Sequence, residues 1–306
     1  MEKEIISVLI PTYNAQRHIQ VLLTKLLQQE LQSNQELEII IVDSSSTDNT
    51  ISIIEAEYPS VKYRVIKNNE FDHGGTRNLL ANISIGDYLL FMTQDAVPYD
   101  NFLIKKLRQS FQEENVVAAY ARQVPKEDAN RLEVFARNFN YPPHSIIKSK
   151  ETIQRLGIKT FFNSNVCSMY DKKTFYKFDM FPEKLILNED MVYASKAILN
   201  GSKIYYNSDA KVYHSHNYNF QQQFRRYFDI GMAFEETSYL LKYASNEKEG
   251  IRMVVKQLKF LIKGKNFNYV PVALIETLCK FLGYKIGQKH KKMPIHIKKK
   301  FSAYMK

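Results

Sequence analysis

Along the first hundred positions, short apolar runs alternate with amphipathic stretches. Ile5-Ile6-Ser7-Val8-Leu9-Ile10 is such a run, stopped by Pro11, and its β-branched composition is that of a central parallel strand. After Asn14, the residues Ile19, Leu22, Leu23, Leu26 and Leu27 recur at the spacing of a helix lying on a sheet. Leu37 to Val42 reads as a second strand, ending at Asp43. Ser44-Ser45-Ser46-Thr47-Asp48 then supplies capping side chains for a helix carrying Ile51, Ile53 and Ile54. Val61 to Ile66 is a third strand, Phe71 to Asn78 a loop opening a helix at Leu79, and Tyr88-Leu89-Leu90 a buried strand leading to Asp95. This alternation predicts an α/β fold, a doubly wound sheet with right-handed crossovers.

Beyond that point a helix is expected over Asn101–Gln112 and strands over Val116–Ala121, Asn163–Tyr170, Ser202–Tyr206 and Lys211–Tyr213. A helix should begin at Asp190 and stop at Gly201. Pro125–Phe162 is polar and aromatic and contains Pro142-Pro143, the pattern of a mobile, substrate-facing segment rather than of core. From about residue 219 the pattern changes to helices alone. Arg252, Lys256, Lys259 and Lys263 share one stripe of a helix, with Ile251, Val254, Val255, Leu258, Leu261 and Ile262 on the other. A second apolar run, Val270–Ile286, carries Glu276, Lys280 and Lys285, too charged and too short to span a bilayer. We therefore expect two units, residues 1–218 and a basic helical extension over 219–306.

Charge sharpens this division. The net charge is +11, yet residues 242–306 hold sixteen Lys and Arg against three Glu, so the remainder of the chain is close to neutral. A nucleic-acid enzyme would carry basic residues around its cleft as well, so no nucleic-acid partner is expected. The basic extension suits an anionic membrane surface, where clustered Lys and Arg contribute about 1 kcal/mol each. Its apolar residues could equally join two copies in a homodimer. Two distant cysteines, Cys167 and Cys279, without metal or redox spacing suit a reducing compartment. With no secretory leader pattern at the start, a cytoplasmic protein at the inner face of the cell membrane is expected.

The candidate chemistry collects at strand ends. Asp43, Asp72, Arg77 and Asp95 would lie along one sheet edge, offering acceptors for a base and ribose, a cation for a diphosphate, and a carboxylate for a divalent metal. Asp95 could instead cap a turn before Pro98. Neither GxGxxG nor GxxxxGK[ST] occurs, which disfavours dinucleotide binding and P-loop chemistry.

Four ordered blocks carry a resemblance: Val8-Leu9-Ile10-Pro11-Thr12-Tyr13-Asn14, Ile41-Val42-Asp43-Ser44-Ser45-Ser46-Thr47-Asp48, Gly74-Gly75-Thr76-Arg77-Asn78 and Asn188-Glu189-Asp190. They resemble the blocks of inverting family 2 glycosyltransferases with the GT-A fold, a Rossmann-like nucleotide-sugar-binding domain. Phe71 to Asn78 and Thr93-Gln94-Asp95-Ala96 are similar to bacterial rhamnosyltransferases of cell-wall and O-antigen synthesis. The resemblance implies a donor site of Pro11, Thr12, Asn14, Asp43, Ser45, Asp72, Gly75, Arg77 and Gln94. Asp95 would hold Mn²⁺ or Mg²⁺ as the last acid of the family's DxD motif, whose first acid is here Thr93; His214 or His216 could supply another ligand. Asp190 would be the general base, with Glu189 as acceptor ligand or alternative base, although paired acids at a helix start also complement its dipole. Arg225 or Arg226 could add phosphate contacts. The implied reaction is transfer of L-rhamnose from dTDP-β-L-rhamnose to a polyprenyl-diphosphate-linked saccharide. A UDP-hexose or UDP-N-acetylhexosamine donor, or a silent nucleotide-sugar-binding scaffold, are the competing readings.

Overall fold

The computed structural model describes residues 3–243 and 246–305. Strands β1 (Glu4–Thr12), β2 (Gln35–Asp43), β3 (Lys62–Val65) and β4 (Tyr88–Met92) lie in parallel in the order β3-β2-β1-β4. Between them run helices α1 (Ile19–Leu27), α2 (Thr50–Glu57) and α3 (His73–Ile83). Side chains alternate across a strand, so β1, β2 and β4 feed two cores. Ile6, Val8, Ile10, Ile41, Leu90 and Met92 pack with Ile19, Leu22, Leu23 and Leu26 of α1. Leu9, Ile40, Val42, Leu89 and Phe91 pack on the other face with Leu80 and Ala81 of α3. Pro11 does not stop β1, which runs on to Thr12 opposite Asp43; it lies beyond the last pair with β4, Leu9 to Phe91.

The chain continues through β5 (Val97–Pro98), α4 (Leu103–Gln109), β6 (Val116–Val124), α5 (Arg131–Asn140), β7 (Ile146–Lys148) and α6 (Ile153–Leu156). Then come β8 (Cys167–Asp171), α7 (Lys172–Lys177), α8 (Glu189–Leu199) and β9 (Lys203–Tyr213). β8 is inserted antiparallel between β4 and β6, and β9 lies parallel to β6, with β5 and β7 antiparallel on its far edge. One mixed, nine-stranded sheet results.

Three local expectations are corrected. The two short strands near residues 202 and 213 are one strand, β9, whose register against β6 slips between Ala121/Asn207 and Arg122/Lys211. Only the second half of Asn163–Tyr170 is strand; Asn163, Ser164 and Asn165 form a buried polar loop before β8. Pro125–Phe162 is no loose segment, because Leu132, Phe135, Tyr141 and Phe161 are all buried. Lys148, also buried, donates to the Tyr120 hydroxyl and the Phe162 carbonyl at 2.6 Å each, fixing this stretch to the sheet.

The last helices are α9 (Phe220–Glu236), α10 (Asn246–Lys263), α11 (Tyr269–Gly287) and α12 (Ile295–Phe301). α9 and α11 meet backbone to backbone. A Cβ on Gly287 would lie 2.1 Å from the Phe228 carbonyl oxygen, one on Gly283 2.4 Å from that of Phe224, and one on Gly231 2.2 Å from that of Tyr284. The apolar stripe expected on α10 is divided: Leu261 is buried against Leu132 and Ala273, whereas Ile251, Val255 and Ile262 are exposed. No helix among the described residues is long and apolar enough to cross a membrane.

Candidate active site

The carboxyl ends of β4, β6 and β9 converge on Asp95, Gln123 and His214-Ser215-His216. Nε2 of His214 and of His216 lie 3.4 and 3.1 Å from Asp95 Oδ2 and 3.1 Å from each other. Gln123 Oε1, an amide oxygen that can only accept, takes a 2.8 Å hydrogen bond from His214 Nδ1. That bond places a proton on His214 Nδ1; the neutral ring then keeps its Nε2 lone pair for a cation, and a ring protonated at both nitrogens donates to Asp95 instead. Burial pushes the His214 pKa down to about 4, against the opposing pull of Asp95. Burial would raise the Asp95 pKa, but the hydrogen bonds and charges of the two imidazoles outweigh it and hold the carboxyl well below its ordinary range. Two imidazole nitrogens and one carboxylate oxygen, all within 4.8 Å of one another, fit a divalent cation. His214 and His216 thus join Asp95 in one cluster. Thr93, where the acid is missing, keeps a buried Oγ1 without a partner among the described residues.

The second group sits at the start of α8. Asn188 takes left-handed backbone, φ 72°, tolerated by Asn, and turns the chain so that Glu189 and Asp190 open the helix. Behind them Phe91, Tyr170, Phe175, Phe181 and Tyr193 pack edge to face or tilted, an apolar floor that excludes water. Glu189 is buried, 3.2 Å from Arg77 Nη1, and accepts from Asn165 Nδ2 at 3.0 Å. Burial works to raise its pKa, but Arg77 and His73 outweigh it, so Glu189 stays ionised. Asp190 differs. It accepts from the backbone N–H groups of Asn165 and Met191, yet burial, together with the negative charge of Glu189, pushes its pKa up to about 7. Two neighbouring carboxyls with pKa values driven apart are the electrostatic signature of a base beside a structural anion.

The Asp72–Asn78 block explains how α3 is aimed. Asp72 caps it, accepting from the Gly75 N–H at 2.6 Å and from the Lys184 N–H at 3.0 Å. Gly74 comes so close to residues 181–182 that a Cβ would lie 1.9 Å from the Pro182 carbonyl oxygen. Asn78 exchanges two hydrogen bonds with the Phe181 backbone. This clamp ties α3 to the segment entering α8 and so brings Arg77 to Glu189. Arg77 also donates to the His73 carbonyl at 2.8 Å.

The other residues named for the donor gather at the ends of β1 and β2. Asp43 is fully buried and accepts from the Thr12 hydroxyl at 2.8 Å, the Ser46 N–H at 2.7 Å and the Ser46 hydroxyl at 2.6 Å. Asn14 and Ser45 both have positive φ, 48° and 59°, and Asn14 Oδ1 accepts from the Thr47 N–H. Gln94 pairs with both backbone groups of Tyr13, locking the β1 loop to the Asp95 loop. Thr12, Asp43 and Asn14 are therefore joined through Ser46 at the strand ends beyond Pro11, Gln94 is tied to the neighbouring Tyr13, and Ser45 donates away from them to the Ile66 carbonyl. Asp72 and Gly75 belong to the α3 clamp.

A cavity of ≈ 500 Å³ takes in Asp95, His214, His216, Glu189, Asp190 and Arg77. Its wall adds residues no motif announced: Gln123, Arg137, Asn163, Asn165, Tyr218, Lys280 and Tyr304. Gln123 was findable, as a polar residue ending an apolar strand; Tyr304 was not, being distant in sequence from every block. Arg226 lines the cavity and Arg225 does not. His73 Nε2, Arg77 Nε, Thr93 Oγ1 and Asn188 Nδ2 are all on its lining residues, buried and unpartnered among the described residues, so the cavity is built for a polar ligand.

The family model of glycosyl transferase family 2 matches residues 7–178, more than half of the chain. The chain belongs to glycosyltransferase family 2. It is 42% identical over 275 residues to the O-antigen chain rhamnosyltransferase WbaN of Salmonella anatum, covering 89% of this chain and 86% of that protein. With the O-antigen chain rhamnosyltransferase RfbN of Salmonella typhimurium it shares 39% identity over 301 residues, 98% of this chain and 94% of the relative. Among solved structures, a mannosyltransferase from Pyrobaculum calidifontis in complex with GDP-Man and Mn²⁺ superposes with a TM-score of 0.62 at 14% identity, covering 98% of this chain and 86% of that one. TarS of Staphylococcus aureus, residues 1–349, superposes with a TM-score of 0.57 at 17% identity, covering 95% and 91%. The glycosyltransferase thus has the GT-A-like fold expected from its sequence, with helices appended at its C-terminal side.

Proposed function

We propose that this glycosyltransferase moves L-rhamnose from dTDP-β-L-rhamnose to a lipid-linked saccharide in O-antigen or related polysaccharide synthesis. The observation that carries the reading is a single cavity with a metal-binding triad and a carboxyl poised near neutrality, in a chain whose relatives named above are rhamnosyltransferases. Asp190 takes the proton of the acceptor hydroxyl as its oxygen bonds to the anomeric carbon; the bond from that carbon to the diphosphate breaks, and dTDP leaves on the opposite side. One displacement inverts the centre and yields an α-linked rhamnoside. Glu189 keeps its charge, holds Arg77, and through that charge keeps Asp190 basic enough to work. A cation held by Asp95, His214 and His216, Mn²⁺ or Mg²⁺, would supply Lewis-acid stabilisation of the leaving diphosphate. Thr12 and Asp43 shape the nucleoside end of the site. Residues 219–306 act as a membrane-associating extension that holds the enzyme at the cytoplasmic leaflet, where a polyprenyl-linked acceptor is presented.

The test is transfer from dTDP-β-L-rhamnose, beside a panel of UDP-sugars, to a lipid-linked saccharide. Rhamnose transfer that is abolished by EDTA, and reduced about 10²–10⁴-fold by Asp190→Asn, is the expected result. Transfer from a UDP-sugar alone would discard the donor; full activity in Asp190→Asn would discard the base.

A further inference from the structure

Five cationic side chains line the cavity, and four are held by a carboxylate among the described residues: Arg77 by Glu189, Arg137 by Glu133, Lys159 by Glu249 and Lys280 by Glu276. Arg226 is the fifth. Its Nη1 donates to the Tyr304 hydroxyl at 3.0 Å, a neutral partner that orients the guanidinium without neutralising it. Tyr304 is itself fixed. Its ring meets His73 edge-on at 5.1 Å, and the segment carrying it is pinned by Asp229 Oδ2, which accepts from the Ala303 N–H at 2.7 Å. A guanidinium kept in place inside a cavity with no carboxylate in ion-pair contact among the described residues, Asp229 one turn along α9 being bonded to the Ala303 N–H, is arranged for an anion that arrives with the ligand.

Two features separate this anion from the donor's diphosphate. Tyr218 stands next to both groups: its ring stacks on His216 at 5.0 Å and the Arg226 guanidinium lies over it at 5.7 Å, while no hydrogen bond or ion pair among the described residues joins Arg226 to Asp95, His214 or His216. Arg226 and Lys280 also come from α9 and α11, not from the sheet that carries the donor motifs. On α11, Leu274, Ile275, Leu278, Phe281 and Leu282 are exposed on the side opposite Lys280 and the packed glycines. One helix therefore presents a cation to the cavity and an apolar face to the outside. That polarity matches an amphiphile with a phosphorylated head.

We infer that Arg226, oriented by Tyr304, forms a subsite for the phosphate of an isoprenoid-diphosphate acceptor, separate from the donor's diphosphate site. The inference rests on the lipid-linked acceptor of the proposed function and names the group that reads it. The experiment is calorimetric binding of geranyl diphosphate to the enzyme saturated with dTDP and Mn²⁺, so that the donor site is occupied. Wild-type enzyme should bind it, and Arg226→Gln should weaken it about 10- to 100-fold, the loss of one charged hydrogen bond. Arg226→Lys should recover part of that loss, and Tyr304→Phe should weaken binding less than Arg226→Gln. Affinity for dTDP should stay within twofold in every variant, which also reports that each is folded. An Arg226→Gln enzyme that binds geranyl diphosphate as wild type does, or that loses dTDP instead, overturns the subsite. Wild-type enzyme that binds geranyl diphosphate but transfers no rhamnose would remove the donor assignment and leave the subsite standing. Rhamnose transfer by an enzyme that does not bind the isoprenoid diphosphate would do the reverse.

Discussion

Asp190 and Glu189 are chemically alike and adjacent, and only their surroundings separate them. Glu189 has a guanidinium at 3.2 Å, whereas Asp190 has backbone amides and an apolar floor. As the base proposed above, Asp190 with its pKa pushed up to about 7 works only when deprotonated, so kcat/KM should fall about tenfold for each pH unit below that value. Glu189→Gln removes the negative charge that helps to raise Asp190, so the acidic limb should move to lower pH; a pH–rate profile reads the shift. A limb that stayed at its wild-type position would deny the coupling between the two carboxyls. Beside the Asp95, His214 and His216 cluster, Gln123 is not itself one of the three candidate ligands, yet its bond places the proton on His214 Nδ1. Gln123→Leu should weaken Mn²⁺ binding about 10- to 100-fold in a calorimetric titration with the three ligands intact. Unchanged Mn²⁺ affinity would show that the His214 proton is placed without it.

Elements position these residues by close backbone approach. The Gly74-Gly75 pair was legible as part of a family block, but its work is mechanical. Gly74 lets α3 touch residues 181–182, and Asp72 and Asn78 then lock that segment ahead of α8. The same device joins α9 to α11, where no motif pointed to it. Gly287→Val would press into the Phe228 carbonyl, and should cost about 1–3 kcal/mol as overpacking, seen as a lower Tm. Gly250→Ala makes the control, because a Cβ there meets nothing within 4 Å and the helix should gain stability, about 0.5–1 kcal/mol. Equal Tm values for the two variants would remove the case for tight α9–α11 packing. Regular elements with a clean period were readable from the chain. The segment 125–162 was not, since its buried residues are spaced irregularly and become core only when α10 and β6 close over them.

At the scale of the molecule, charge and apolar surface are both concentrated in the last quarter of the chain. Residues 242–306 carry the basic surplus, and α11 exposes a continuous apolar face. Exposed patches of this kind mark interaction surfaces. The enzyme should sediment with phosphatidylglycerol vesicles and far less with phosphatidylcholine vesicles, and added salt should weaken the contact. Leu278→Glu with Phe281→Glu should reduce sedimentation without altering dTDP binding. If the double variant instead converts a dimer to a monomer in analytical ultracentrifugation, while vesicle binding persists, the face is a subunit interface.

By itself the sequence determined the α/β alternation, the buried character of β1 and β4, the family blocks and the charge imbalance, because each rests on periodicity or composition over neighbouring residues. It offered His214 or His216 as a further ligand beside Asp95, and Asp190 as a base, without a distance between any of them. Only the tertiary structure decided that both histidines face one carboxylate oxygen, that Arg77 is spent on Glu189, and that Arg226 and Tyr304 enter the same cavity. Those outcomes depend on contacts between residues tens to hundreds of positions apart, and on burial, which sets charge and pKa but has no local signature in the chain.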